Sequence, residues 1–164
     1  MRPSNLNDLE QAIRGAWGAD TTTPEHRPNW TVDNPARDQC GVTALVVHDL
    51  LGGVLIRGEV HVNGERVDYH WWNRLGMGIE VDLTREQFGP DEMVVGGDVI
   101  ERPAQIVRLR EEYELLRGRV LAVLRSPGTP WRASPRLPAD DRNVDGQRPA
   151  LHRGKAERSS TAGK

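Results

Sequence analysis

Cys40-Gly41-Val42-Thr43-Ala44-Leu45-Val46-Val47-His48-Asp49-Leu50-Leu51, closed by Gly52-Gly53, is apolar around most of its circumference and stops where a helix should, at glycine. A helix of that kind belongs in the middle of a fold. Past the two glycines the period changes. Val54 to Val62 reads as a strand, Asn63-Gly64 is a strong two-residue hairpin turn, and Glu65 to Leu75 is the returning strand. Gly76-Met77-Gly78 then turns the chain into a third strand, Ile79 to Leu83. A buried helix followed by an antiparallel meander predicts an α+β fold, with the helix packed on a small sheet.

Working outward, Asn5 to Trp17 carries Leu9, Ile13, Ala16 and Trp17 at helical spacing behind a cap at Asn5 or Asn7, and ends near Gly18. Residues 20–38 are broken by Pro24, Pro28 and Pro35 and read as an ordered loop anchored by Trp30. Thr84 to Phe88 fits a single capped turn, with Thr84 accepting from the amides and Gln87 answering three residues on. A glycine-rich loop comes next. A flanking amphipathic helix is expected from Pro103 to Leu124, its stripe formed by Ile106, Leu109, Tyr113, Leu116 and Val120. Residues 1–125 are read as one domain, and residues 126–164, rich in proline and arginine and without any period, as a disordered basic tail.

The charge is divided in the same way. Residues 1–124 hold 13 basic and 20 acidic side chains, against 9 and 4 in residues 125–164. An acidic body argues against nucleic acid as the main partner. The amino terminus shows no apolar stretch of signal-peptide or membrane-spanning length, and a lone cysteine makes no internal disulfide, so a cytoplasmic protein with no membrane partner is expected.

That lone cysteine opens the buried helix, where the dipole and free amides of the first turn favour a thiolate and can receive an oxyanion. If Gly76 is the centre of the second turn, Leu75 opposes Met77, Trp71 opposes Val81, and His70 opposes Asp82. Opposed side chains lie roughly 5 Å apart at Cβ, within reach of a carboxylate–imidazole hydrogen bond. His70, Trp72, Glu80 and Asp82 then share one face, while Trp71, Asn73 and Val81 share the other. An acid on one imidazole nitrogen leaves the other in a fixed tautomer facing the thiol, and an imidazole there lowers the thiol pKa. Cys40, His70 and Asp82 are therefore the candidate catalytic residues. Gln39, Cys40 and Gly41 are the candidate oxyanion donors. Asp82, just before Leu83-Thr84, is equally placed to cap the next turn.

His48 lies eight residues along the helix from Cys40, rotated by about 80° and two turns away, too remote to serve the thiol. No spacing among His26, His61 and the other histidines suggests a metal site, and neither metal nor cofactor is expected. Of the five tryptophans, those near the site can line an apolar cleft. Trp30, Trp72, Asn73 and Glu80 are the candidate substrate-binding side chains. The long helix can pair with a copy of itself, so a monomer or a homodimer is expected.

Asn34-Pro35-Ala36-Arg37-Asp38-Gln39-Cys40-Gly41-Val42-Thr43-Ala44, His70-Trp71-Trp72-Asn73-Arg74-Leu75 and Glu80-Val81-Asp82-Leu83-Thr84-Arg85-Glu86-Gln87-Phe88 together resemble the small bacterial YunG-like family over residues 5–124. At a greater distance, the order of a Gln-Cys helix start, a strand histidine followed by tryptophan, and a strand ending Val-Asp-Leu-Thr resembles the transglutaminase-like branch of the papain-type superfamily. That resemblance implies a Cys-His-Asp triad at Cys40, His70 and Asp82 with a backbone oxyanion hole at the cysteine. The spacing of His70 and Asp82 is shorter than in many transglutaminases, and Gln39 is adjacent to the cysteine where the papain glutamine precedes it by several residues. The expectation is a cysteine-dependent amide or thioester hydrolase or acyltransferase acting on a small-molecule or peptide acyl substrate. The alternative is a non-catalytic binding module of the same fold.

Overall fold

The computed structural model describes residues 5–126. They form three helices, α1 (Leu6–Arg14), α2 (Cys40–Leu51) and α3 (Arg110–Arg125), and four strands, β1 (Val54–Val62), β2 (Glu65–Arg74), β3 (Glu80–Val81) and β4 (Glu92–Ile100). The strands make one antiparallel sheet in the order β3-β2-β1-β4. The expected basic tail lies outside the described residues, as does Trp131.

α1 is capped by Asn5, whose side chain accepts from the Asp8 amide at 2.9 Å. Its Leu9, Ala12 and Ile13 are buried in one cluster with Leu116 and Val120 of α3 and Val42, Val46 and Val47 of α2. Trp17, past the end of α1, ties this layer to α2 by donating its indole N–H to Thr43 Oγ1 at 3.0 Å. α2 is central for the reason its composition gives: Val42, Ala44, Val46 and Val47 are all at most 2 % exposed, so apolar side chains around the helix each find a neighbour. At its end Gly53 adopts φ +84° and lies so close to β2 that a Cβ there would stand 2.4 Å from the Arg74 carbonyl oxygen. Only glycine allows α2 to turn directly into β1 at that distance.

Asn63 and Gly64 both take positive φ, 52° and 83°, as a two-residue hairpin loop requires. The second turn departs from expectation. Its centre is Met77, with Leu75 N–H donating to Ile79 O at 2.8 Å, so that Asn73 opposes Val81 and Arg74 opposes Glu80. The shift of two residues from the expected register preserves the face of every side chain. His70 and Asp82 are thus diagonal rather than opposite. The third strand is also shorter than expected, ending at Val81.

Two expectations are corrected. The stretch after Phe88, expected as a glycine-rich loop, contains β4, which pairs with β1 from Val62↔Glu92 to Leu55↔Ile100. Its Gly96-Gly97 pair interrupts the alternation because it forms a bulge: Arg57 opposes Asp98 and Glu59 opposes Val95, leaving Gly58 against two residues, with Gly96 at φ +77°. The long helix begins at Arg110 rather than Pro103, because Leu109 enters the left-handed region (φ 59°) as the residue before it. The intervening chain is held by contacts outside any helix: the Arg102 guanidinium pairs with Asp49 of α2 at 2.7 Å and also donates to the Pro103 carbonyl.

Candidate functional site

α2 starts at Cys40, so the Cys40 and Gly41 amides belong to the first turn, where no intrahelical acceptor exists. The sulfur sits against β2, where the backbone amide of Trp71 meets it, as does the amide of Gly41. The thiol therefore lies one residue along the strand from His70. It is half-buried and opens on a cavity of about 390 Å³. Burial pushes this thiol up from 9.0 to about 11, against the opposing pull of the Trp71 amide, and the Asp68 and Asp38 carboxylates add to the rise. This is opposite in direction to the thiolate expected from the helix start: in the resting site, removal from water outweighs two amide dipoles.

His70 is fully buried. Its Nε2 lies 2.7 Å from Asp82 Oδ2. Asp82 Oδ1 accepts from the Thr84 amide at 3.1 Å and from the Thr84 hydroxyl at 3.3 Å, so the carboxylate holds the histidine with one oxygen and the following turn with the other. The imidazole plane is fixed by Trp72, stacked at 5.5 Å and 23°, and by the edge of Phe88 at 4.8 Å and 85°. Trp72 in turn rests over glycines of β1 and of β4, the strand beyond it. A Cβ at Gly58 would lie 3.0 Å from its ring, and one at Gly97 would lie 3.2 Å away.

The single turn expected after Thr84 forms, over Arg85–Gln87, but Thr84 does not cap it, since its hydroxyl is given to Asp82. Gln87 does not answer back to the start of the turn but reaches the histidine, its Nε2 donating to Thr84 O at 3.0 Å and lying 3.3 Å from His70 Nδ1. Its Oε1 accepts from the Asp38 amide at 3.2 Å, and its backbone carbonyl takes Asn34 Nδ2 at 2.9 Å and Arg37 at 3.2 Å. Both imidazole nitrogens are consequently occupied. Among the described residues no hydrogen bond joins Cys40 to His70.

Gln39 requires a correction. It is fully buried, its Oε1 accepts from Thr21 Oγ1 at 2.9 Å, its Nε2 donates to Gly18 O at 2.9 Å, and its backbone N–H donates to Ala36 O at 3.1 Å. These contacts make it a clamp between the loop and α2 and direct its amide away from the thiol. The expected substrate-binding group also disperses. Asn73 is 2 % exposed and donates to the Ala44 carbonyl at 3.0 Å, and Trp30 donates to the Pro35 carbonyl at 3.2 Å, which anchors the loop. Trp72 and Glu80, joined by an indole–carboxylate bond of 3.2 Å, line a separate cavity of about 440 Å³ beside Asp82 and Arg85. The Cys40 cavity is walled instead by His26, Arg37, Asp38, Asp68, Tyr69 and Phe88, among others.

Among the described residues, no group of three or more histidine, cysteine or acidic side chains is arranged to hold a metal ion, and no helix is long and apolar enough to cross a membrane.

The family model for YunG protein matches residues 5–125, which takes in both α2 and the whole sheet. The chain belongs to the YunG family. Uncharacterized protein YunG of Bacillus subtilis (strain 168) is 39% identical over 83 residues. That match covers 51% of this chain and 63% of the relative, so the chain spans less than two thirds of the YunG relative's length. No solved structure matches the chain. Within this YunG family member, Gln87, Phe88 and Asp68 are the site residues the sequence did not single out. Gln87 and Phe88 close the string that runs from residue 80 to residue 88, but a local capping pattern and a long-range contact look alike there.

Proposed function

We propose that this chain is a cysteine-dependent amide or thioester hydrolase or acyltransferase, built on a papain- or transglutaminase-like arrangement in which Cys40 is the nucleophile, His70 the base and Asp82 the orienting acid. The observation that carries the reading is the 2.7 Å bond from His70 Nε2 to Asp82, made by a buried imidazole next along β2 from the amide that touches the Cys40 sulfur. A carboxylate on Nε2 leaves Nδ1 as the nitrogen that can act as base.

In the proposed reaction His70 Nδ1 takes the Cys40 proton and the sulfur bonds to the carbonyl carbon. The oxyanion rests on the first-turn amides of Cys40 and Gly41. Collapse breaks the C–N or C–S bond, and the leaving group takes the proton from His70. Water or an amine, deprotonated by His70, then displaces the acyl group, and the proton returns to the sulfur. Gln39 has no part in these steps, and Asp82 stays ionised throughout.

A second reading, a non-catalytic binding module for a small molecule or peptide, is favoured by the same resting site: a thiol raised to about 11 and a histidine with both nitrogens occupied. The two are separated by acyl transfer. A catalytic site predicts that an activated aryl ester or thioester acylates Cys40, detected as an added acyl mass released by hydroxylamine, with Cys40→Ala blank and His70→Ala slower by about 10²-fold or more, as loss of a general base requires. Acylation at the same rate in wild type and His70→Ala supports the binding module.

A further inference from the structure

The orientation of the Gln87 amide is fixed independently of the histidine. Oε1 must face the Asp38 amide, which can only donate, and Nε2 must face the Thr84 carbonyl, which can only accept. The second Nε2 hydrogen is then presented to His70 Nδ1. Nδ1 therefore carries the lone pair, and the ring proton sits on Nε2, against Asp82. The lone pair that would take the thiol proton is occupied by Gln87.

We propose that Gln87 is a positioning residue for His70, which sets its tautomer and, by occupying Nδ1 in the resting site, keeps Cys40 protonated until the amide turns away. The inference rests on the catalytic reading of the same three residues and adds how that site is held off. At 3.3 Å the contact is at the long end of a hydrogen bond, so the cover is removable, and Gln87 borders the cavity by which a ligand reaches the thiol. Once Nδ1 is free, the Cys40 S–H proton passes to it, leaving thiolate and imidazolium side by side, with the imidazolium N–H on Nε2 still held by Asp82. The other charged groups facing the thiol are His26, Arg37, Asp38, Asp68 and Glu92, with Tyr69 beside them. Arg37 pairs with Glu92 at 2.7 Å and His26 with Asp38 at 3.4 Å. Gln87→Met replaces none of these side chains; the one bond it takes from them is that of the Asp38 backbone amide to Oε1, a loss shared by the double variant and therefore unable to explain a gain that requires His70.

The test is the pH profile of iodoacetamide alkylation of Cys40, read by intact mass between about pH 5 and 10 in wild type, Gln87→Met, His70→Ala and the Gln87→Met/His70→Ala pair. Methionine fills the same volume without a donor. Wild type is expected to react ever faster with pH, with no limb near neutrality. Gln87→Met is expected to gain such a limb and to react about tenfold or more faster at pH 7, the effect of lowering a thiol pKa by at least one unit. The double variant is expected to lose that gain. A wild-type profile in Gln87→Met, or a gain that survives in the double variant, overturns the proposal. A measurement on the wild-type protein covers the case of a variant that does not fold: long-range ¹⁵N–¹H spectra are expected to show His70 protonated on Nε2 with a bare Nδ1, identified by its loss in His70→Ala. The opposite tautomer overturns the proposal. If ester acylation depends on His70 while Gln87→Met changes nothing, Gln87's role is refuted and the catalytic reading stands. If no acyl group reaches Cys40, the catalytic reading itself is refuted.

Discussion

Asp82 is both things its sequence position allowed, a histidine partner through Oδ2 and a turn cap through Oδ1. One carboxylate has lone pairs enough for both, so the two readings never competed. Gln39 shows the converse. Its place beside Cys40 suggested an oxyanion donor, but the side chain is claimed by Gly18 and Thr21. Gln39→Leu removes both bonds and leaves Thr21 and Gly18 with only the bonds they make to each other, and it is expected to lower stability by about 1–3 kcal/mol in urea unfolding, with the acylation rate per folded molecule unchanged. Full stability with acylation lost would instead return the Gln39 amide to the oxyanion. Although the hairpin register differs by two residues and makes His70 and Asp82 diagonal, the helix start at Cys40 and the meeting of that pair on one face were legible from local rules. Gln87 was not, since its partners His70 and Asp38 are brought to it only by the folded chain.

At the scale of elements, the strands before residue 75 were readable from alternation and from Asn63-Gly64, whereas β4 was hidden by its own bulge. The glycines that disguise it have a purpose visible only in three dimensions, the seating of the Trp72 indole between Gly58 and Gly97. Because Trp72 stacks on His70, the bulge bears on the site. Gly58→Ala brings a methyl group to 3.0 Å from the ring and 3.1 Å from Val94 Cγ1, both backed by packed strands. It is expected to destabilise by about 1–3 kcal/mol, with a changed tryptophan emission as the indole shifts. An unchanged melting curve and emission spectrum would mean that the ring is not held by these strands. The misplaced start of α3 has a similar origin: Pro103 and the apolar stripe satisfy a helix rule, but Arg102 is drawn to Asp49 and Leu109 turns left-handed, and tertiary contacts override a weak local preference.

For the whole molecule, the three strings of residues that carry the resemblance converge on one site: Asn34 and Arg37 from the first, His70 from the second and Asp82 and Gln87 from the third are linked by hydrogen bonds. Stability should carry the imprint of that site at high pH. The Cys40 thiol is raised in the folded state from 9.0 to about 11, so its contribution is fully present below about pH 9 and is lost as pH rises through 11. Wild type is expected to lose at most about 2–3 kcal/mol more than Cys40→Ala over that interval in urea unfolding at successive pH values. Parallel curves would place the thiol in water. Tyr113, raised first by burial and next by its bond to Asp49, acts in the same direction in both proteins and cancels. On the acid side, Glu92 is held below its usual range chiefly by the Arg37 guanidinium, and its contribution, present above about pH 4.3, is lost as the pH falls.

A single measurement bears most directly on whether Cys40, His70 and Asp82 act together: the mass of the intact protein after brief exposure to an activated aryl ester at neutral pH. An acyl adduct confined to Cys40, released by hydroxylamine and formed far more slowly in His70→Ala, is the expected result. An unmodified wild-type protein, or equal acylation with and without His70, would contradict a catalytic role for the three residues.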